Sequence, residues 1–147
     1  MGKVIAFSNQ KGGSGKSTLS ANLAVLWSNS GYKVAIIDAD NQASLTNWYK
    51  ARKDYYGNED TGLTLCEYNS NDFITKVKQI RKTFDLVIID SPPSITIDSL
   101  TIIRSSNYIF VPVQASPLDI LATIPFLDLI KRERKESNIV INRVLPR

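Results

Sequence analysis

The ten residues Asn9-Gln10-Lys11-Gly12-Gly13-Ser14-Gly15-Lys16-Ser17-Thr18 constrain this chain more than any other part of it. They follow the apolar run Val4–Phe7. They precede a helical stretch, Ser17–Ser30, with Leu19, Leu23, Leu26 and Trp27 on one face and Gly31 as its expected C-cap. A glycine loop between a strand and a helix lets the backbone approach an anion closely, and the helix N-terminus favours the negative charge. Gly12, Gly13 and Gly15 give the close approach. Lys16 is then placed for the β- and γ-phosphates, Ser17 for Mg2+ and Thr18 for the α-phosphate. Two features are unusual. Gln10 stands where the standard pattern G-x-x-x-x-G-K-[ST] has its first glycine, and Lys11 adds a second lysine.

The rest of the chain alternates short apolar runs with longer helical stretches. Lys3–Ser8, Lys33–Asp38, Asp85–Asp90, Tyr108–Val113 and Asn138–Arg143 read as strands, apolar almost throughout, as in a parallel sheet buried on both faces. Ser44–Lys50 looks helical, and a further helix is expected over Asp72–Lys82, entered through Asn69-Ser70-Asn71. Leu118–Arg134 contains Pro125, which places a short first turn there and the start of the helix proper near the proline. Lys53–Gly62 is polar and turn-rich, an exposed connection. The expected fold is α/β, a doubly wound, mostly parallel sheet with helices on both faces. Its 147 residues form one domain, 1–147.

Composition removes several chemistries. No histidine is present, which excludes Ser-His-Asp catalysis and histidine-ligated zinc. A lone cysteine, Cys66, allows neither an internal disulfide nor a four-cysteine cluster, and reads as a small residue in a short half-buried strand. No apolar run approaches the roughly 18–20 residues that span a bilayer. Val4–Phe7 is too short for a signal sequence, and Ala6 breaks the myristoylation pattern, so a cytoplasmic location is expected. The net charge of +4 lies wholly in residues 131–147, since residues 1–130 hold 12 basic and 12 acidic side chains. Lys131, Arg132, Arg134, Lys135, Arg143 and Arg147 form a patch that can attract DNA phosphates or solvate a helix end.

The remaining suggestive residues fall where open α/β sheets bind ligands, beyond the carboxyl ends of strands. Asp38 and Asp40 close the second strand, two residues apart and able to face one point. Beside a triphosphate, one would hold a Mg2+-bound water and the other orient the attacking water; otherwise the pair caps the next turn. Leu86-Val87-Ile88-Ile89-Asp90 has the Walker B form, with Asp90 fixing Mg2+ through water.

Four segments in order, KGGSGKST, IIDADNQASLTNW, FDLVIIDSPPS and VPVQASPLD, resemble the ParA family of deviant Walker A partition ATPases, especially its small plasmid-partition members. The likeness runs over essentially the whole chain. It implies that Lys11 reaches across a dimer interface to the phosphates of ATP held by the other subunit; the alternative leaves Lys11 exposed or ion-paired on its own surface. It further implies that Lys16 is the phosphate lysine, Ser17 the Mg2+ ligand, Asp40 the water-orienting catalytic aspartate with Asp38 behind it near the metal, and Asp90 the Walker B residue. Backbone or side-chain contacts to the nucleotide fall to Lys11, Gly12, Gly13, Ser14, Gly15, Lys16, Ser17 and Thr18. Asn142 fits the position that contributes to adenine recognition, with Arg143 and Pro146 as weaker candidates. Asn41 stands where the family usually has proline, while Gln42 keeps its place. Complete members continue well beyond a segment like IVINRVLPR, so the usual C-terminal part is expected to be lacking.

The resemblance implies a weakly hydrolysing ATPase of DNA partition with ATP and Mg2+ as cofactors. It would form a homodimer with ATP, bind nonspecific DNA on the nucleoid, answer to a centromere-binding ParB-type partner and leave membranes alone. Low turnover is expected because no internal arginine finger presents itself. A MinD-like positioning ATPase that docks on membranes is the main alternative. A small-molecule ATP-dependent ligase, like dethiobiotin synthetase, shares the loop and is another. The nitrogenase iron protein branch needs two cluster cysteines per subunit, and Cys66 stands alone.

Overall fold

A computed structural model describes residues 1–57 and 62–144. The elements run β1 (Lys3–Phe7), α1 (Lys16–Asn29), β2 (Val34–Asp38), α2 (Ser44–Tyr56), β3 (Leu63–Cys66) and α3 (Phe73–Ile80). They continue with β4 (Leu86–Asp90), α4 (Ile97–Ser105), β5 (Tyr108–Gln114), α5 (Pro117–Arg132) and β6 (Glu136–Asn142). The six strands form one sheet in the order β3-β2-β4-β1-β5-β6, parallel at every pairing.

The apolar strands divide by alternation. Val4, Ala6, Ala35, Ile37, Val87, Ile89, Ile109, Val111 and Val113 turn to one face, against Phe73 and Val77 of α3, Ile102 and Ile103 of α4, and Phe126 and Ile130 of α5. Ile5, Phe7, Val34, Ile36 and Ile88 turn to the other, against Ala21 and Ala24 of α1 and Leu45 of α2. The period of two thus gives two separate cores from strands that look uniformly apolar. The expected doubly wound α/β fold is what the chain adopts.

Register sets the site. Asp38 pairs with Asp90 across β2 and β4, and Phe7 pairs with Asp90 across β1 and β4. The two aspartates and the residue that opens the glycine loop therefore end in one row. From β1 the chain moves one way to β2, and from β4 the other way to β5, so this row lies at the point where the winding reverses.

Several expectations need correction. The buried stripe of α1 is Ser20, Ala21 and Ala24, whereas Leu26 is 56% exposed. Small side chains let the helix axis approach the sheet, and Leu19, Leu23 and Trp27 pack on its flanks. The Asn138–Arg143 strand starts two residues earlier, at Glu136, and stops at Asn142. Helix α2 runs six residues past the expected Lys50, taking Lys53–Tyr56 from the expected connection; residues 58–61 of that connection lie outside the described residues. Arg52 over the rings of Trp48 and Tyr56 supports the extra turns.

The helix after β5 does not start at Pro125. It starts at Pro117, immediately after the Ser116 N-cap, and carries Pro125 inside. A proline at the first helical position loses nothing, because that N–H has no intrahelical acceptor. Pro125 forfeits one internal hydrogen bond, but it lies on the exposed side of the helix, where water can reach the freed carbonyl. Phe126 and Ile130, buried on the opposite side, hold the helix in place. Pro125→Ala is expected to stabilise the protein by about 1–2 kcal/mol, because an interior proline is unfavourable by roughly 3 kcal/mol before its unfolded-state benefit is counted. Thermal unfolding followed by circular dichroism should show a Tm several degrees higher; an unchanged or lower Tm would mean the proline is needed where it is.

Candidate functional site

The loop Ser8–Gly15 leaves β1 with its first residues buried. Asn9 is 3% exposed and donates its amide to the Pro112 carbonyl of β5 at 2.8 Å, while its Oδ1 accepts the Lys11 N–H at 3.3 Å. Two more amides brace the loop. Gln114, at the end of β5, donates to the Gly13 carbonyl at 2.8 Å, and Asn142, at the end of β6, donates to the Ser14 carbonyl at 3.2 Å. Gly15 has φ +97°, and a β-carbon there would lie 2.1 Å from the Asn142 amide nitrogen. Conformation requires the glycine, and the end of the Asn142 side chain occupies the space a β-carbon would take. The carboxamides hold carbonyls outward, so the loop's N–H groups and the uncapped N-terminus of α1 are left for an anion.

A cavity of about 310 Å3 lies over this loop, lined by Gly12, Gly13, Gly15, Lys16, Ser17, Thr18, Asp40, Gln42, Ser44, Pro93 and Arg143. Lys16 is 6% exposed, and its ammonium donates to the Lys11 carbonyl at 3.4 Å. Burial lowers its pKa, opposed by the negative charges of Asp90 and Asp40. Asp90 is fully buried. Desolvation is the largest influence on its carboxyl, whose pKa is pushed up to about 7 against the ordinary 3.8. The Ser17 hydroxyl donates to Asp90 Oδ2, whereas Asp90 Oδ1 has no hydrogen-bond partner. The Ser14 hydroxyl is likewise buried without a partner.

The paired aspartates divide their work. Asp38 Oδ2 accepts the Thr46 N–H at 2.8 Å and its hydroxyl at 3.0 Å, and Oδ1 accepts the Asp40 N–H at 3.1 Å. Asp38 therefore caps the start of α2, whose own N-cap residue, Ala43, offers no side-chain acceptor. Asp40 lines the cavity over the loop and accepts the Gln42 N–H at 3.0 Å, closing a tight turn over exposed Asn41. Both aspartates also border a neighbouring cavity of about 480 Å3 together with Cys66, Glu67 and Tyr68.

Lys11 stands apart from this cavity. Its ammonium forms an ion pair with Asp119, in the first turn of α5. Asn142 faces the loop, and Arg143 lines the cavity in a left-handed conformation, φ +55°. Pro146 lies outside the described residues. Sequence reasoning missed Asn9, Gln114, Pro93 and Asp119. Gln114 and Asp119 fall inside VPVQASPLD, and Gln114 closes a strand, so the strand-end rule could have found it. Asn9 and Pro93 acquire their roles through tertiary contacts that no local pattern reports.

The donor set fits a nucleotide with Mg2+. The loop supplies N–H groups and Lys16 for phosphates, and Ser17 with the unpartnered Asp90 Oδ1 supplies oxygen for a hard cation that keeps several waters. Among the described residues no three His, Cys, Asp or Glu side chains gather as a metal site of their own. Mg2+, held mainly by phosphate and water, needs none. No described helix is long and apolar enough to cross a membrane.

Comparison with known proteins places this site in context. The family model described as "CobQ/CobB/MinD/ParA nucleotide binding domain" matches residues 5–147. The maintenance of carboxysome distribution protein A of Halothiobacillus neapolitanus is 29% identical over 98% of this chain and 68% of its own length. The tyrosine-protein kinase CpsD of Streptococcus agalactiae is 31% identical over 97% of this chain and 76% of its own. The structure of pNOB8 ParA bound to nonspecific DNA superposes with a TM-score of 0.80 at 20% identity, over 99% of this chain and 69% of that one, a likeness of fold.

Asp90 makes the ligand-free protein pH-sensitive. Its folded pKa of about 7 lies above the unfolded value, so the folded state holds the proton more tightly between about pH 4 and 7. The destabilisation is absent below pH 4, grows through that window and is complete above pH 7, on the order of a few kcal/mol. Asp90→Asn is therefore expected to melt several degrees above the parent at pH 8 and to converge with it near pH 4. Parallel melting curves at both pH values would contradict the buried, uncompensated carboxylate.

Proposed function

The chain belongs to the CobQ/CobB/MinD/ParA nucleotide-binding domain family, and on that premise we propose that it is a ParA-like ATPase of DNA partition. ATP with Mg2+ closes two copies face to face, the dimer binds DNA without sequence preference, and a ParB-type partner stimulates slow hydrolysis. One observation carries the reading: Lys11 leaves its own phosphate cavity unlined and is held on the outer side of the loop by Asp119. A lysine so placed is poorly positioned for its own nucleotide; the ion pair is the intramolecular arrangement named as the alternative above, so reaching a second copy's nucleotide requires Lys11 to leave Asp119. The related carboxysome distribution protein lends support, as does the likeness of fold to the ParA structure bound to nonspecific DNA.

The chemistry is positioning and electrostatics. Loop N–H groups and Lys16 hold the phosphates, Ser17 and Asp90 hold the cation, and Asp38 acts behind them by fixing the turn that carries Asp40. Asp40 orients the attacking water and accepts its hydrogen bond. Bound Mg2+ supplies charge neutralisation on the phosphate oxygens. Lys11 and Lys16 offset the negative charge that develops as the terminal phosphate leaves. Asn142 fixes the loop through its amide and accepts the Arg143 N–H at 2.9 Å through its Oδ1, so a contact to adenine would need one of these bonds exchanged. With Arg104 engaged by Glu133, at 2.8 and 2.9 Å, the described residues show no arginine directed into the cavity apart from Arg143 at its rim.

The DNA surface would be built from Lys131, Arg132 and Arg134, since Arg143 lines the phosphate cavity. Lys135 is committed elsewhere, donating to the carbonyls of Arg104 and Ser106 at the end of α4. Because the family description spans MinD as well as ParA, a membrane-docked dimer is the second reading. Both readings share the nucleotide cycle and differ in what the dimer binds.

Molecular mass in solution should be that of a monomer with ADP and of a dimer with a non-hydrolysable ATP analogue, and Lys11→Ala should stay monomeric with both. The analogue-bound protein should then shift duplex DNA of arbitrary sequence and leave anionic liposomes unbound. Binding to liposomes alone would establish the membrane reading instead.

A further inference from the structure

Charge is divided along the strand axis. Every strand pairing is parallel, so the amino ends form one side of the molecule and the carboxyl ends the side with the nucleotide cavity. The carboxyl side gathers acids, among them Asp38, Asp40, Asp90 and Asp119. The amino side gathers cations. Lys33 precedes β2, Lys3 opens β1, and Lys78 and Lys82 stand where α3 runs out toward β4. Lys131, Arg132 and Arg134 stand where α5 turns into β6. At the β3 edge, Lys53 and Asp54 at the end of α2 offset one another and mark the limit of the surplus.

Some cations on this side belong to the fold. Arg81 donates through Nε to the Gly2 carbonyl at 2.9 Å, Arg104 is paired with both oxygens of Glu133, and Lys135 donates to the carbonyls at the end of α4. Two acids are engaged in the same way, Glu133 by Arg104 and Asp85 by the Lys33 N–H at 2.8 Å. The remaining cations, from Lys3 to Arg134, are exposed and form no ion pair among the described residues. A helix C-terminus favours nearby cations, which accounts for Lys78, Lys131 and Arg132. It does not account for Lys3 and Lys33, which stand at the entrances of strands.

From β2 to β6 the cations cross four strand spacings, roughly 19 Å at about 4.8 Å each. Such a span meets several phosphates of one duplex, which carries a charge about every 1.7 Å along its axis. A membrane-docking face would pair its cations with apolar side chains that insert. Here the exposed Ile97, Leu118 and Leu121 begin α4 and α5, at the opposite end of the sheet.

We propose that the amino end of the sheet is a face for duplex DNA, with Lys3, Lys33, Lys78 and Lys82 extending the surface begun by Lys131, Arg132 and Arg134, and that a dimer closed over its nucleotides presents two such faces pointing apart and joins two duplexes. The second half rests on the reading that copies close face to face over their phosphate cavities. Each face is complete within one chain. Nucleotide therefore does not build the face; it sets how many faces act together, and so the avidity.

The test uses a short labelled duplex of arbitrary sequence, Mg2+, and either ADP or a non-hydrolysable ATP analogue, with dimerisation followed by sedimentation. The triple variant Lys3→Ala/Lys33→Ala/Lys82→Ala should dimerise and melt like the parent. It should bind the duplex at least about tenfold more weakly, with a salt dependence shallower by about three in log–log slope. Lys50→Ala, an exposed lysine on α2, should match the parent. Unchanged affinity and slope in the triple variant would overturn the face. An immobilised duplex should capture a second, free duplex with the parent and the analogue, and not with ADP or with Lys11→Ala. A parent dimer that binds one duplex yet captures no second would overturn the outward pair. A parent that stays monomeric with the analogue would overturn the face-to-face closure and the joining with it, while the triple variant would still decide the face. Binding to phosphatidylserine vesicles that is lost in the triple variant, without binding to DNA, would overturn DNA as the ligand in favour of a membrane.

Discussion

The site depends on one buried carboxylate at the tip of the central strand β4. Neighbours on both sides hold β4, so Asp90 cannot move toward water without disturbing β1 and β2. It must be satisfied where it stands. The Ser17 hydroxyl and the nearby Lys16 charge do this only in part, leaving Oδ1 without a partner and the proton held up to about pH 7. An unsatisfied group in an otherwise well-packed interior marks a place completed by something else. A cation bound to phosphates is of the right charge and hardness, and whatever binds there stabilises the fold by mass action.

The core and the phosphate loop were legible from the sequence because both are written locally. Strand identity follows from runs of Val and Ile, and the loop follows from glycines and a lysine at fixed offsets. Asp90 was legible for the same reason. The helix after β5 was misread because Pro125 is a strong local signal, and only burial of Phe126 and Ile130 on the far side shows that the helix continues through it. In α1 the leucines and Trp27 drew attention to the wrong stripe, since the closest contact with the sheet is made by alanines and a serine. Helix α4 was not foreseen. It begins at a capping box of Thr96 and Ser99, directly after a proline-rich turn that obscures the pattern.

The residues that brace the loop were the least legible. Asn9, Gln114 and Asp119 come from three different elements or their connections, and nothing in their spacing shows that they meet; Asn142 was singled out, but for the base rather than for the loop it braces. What unites them is the sheet order, which sets β5 and β6 beside β1. The doubled lysine shows the same division. Its presence is a matter of sequence, but the direction in which Lys11 points is decided by an acid more than a hundred residues later.

The amide contacts of Gln114 and Asn142 with the loop span 101 and 128 residues of sequence. During synthesis the first strand and its glycines emerge early, yet the carbonyls of Gly13 and Ser14 have no partners until the fifth and sixth strands are in place. Closing such distant contacts comes late, after the entropy of the intervening chain has been overcome. The segment made first is therefore finished last, and tight phosphate binding becomes a report that the sixth strand has docked.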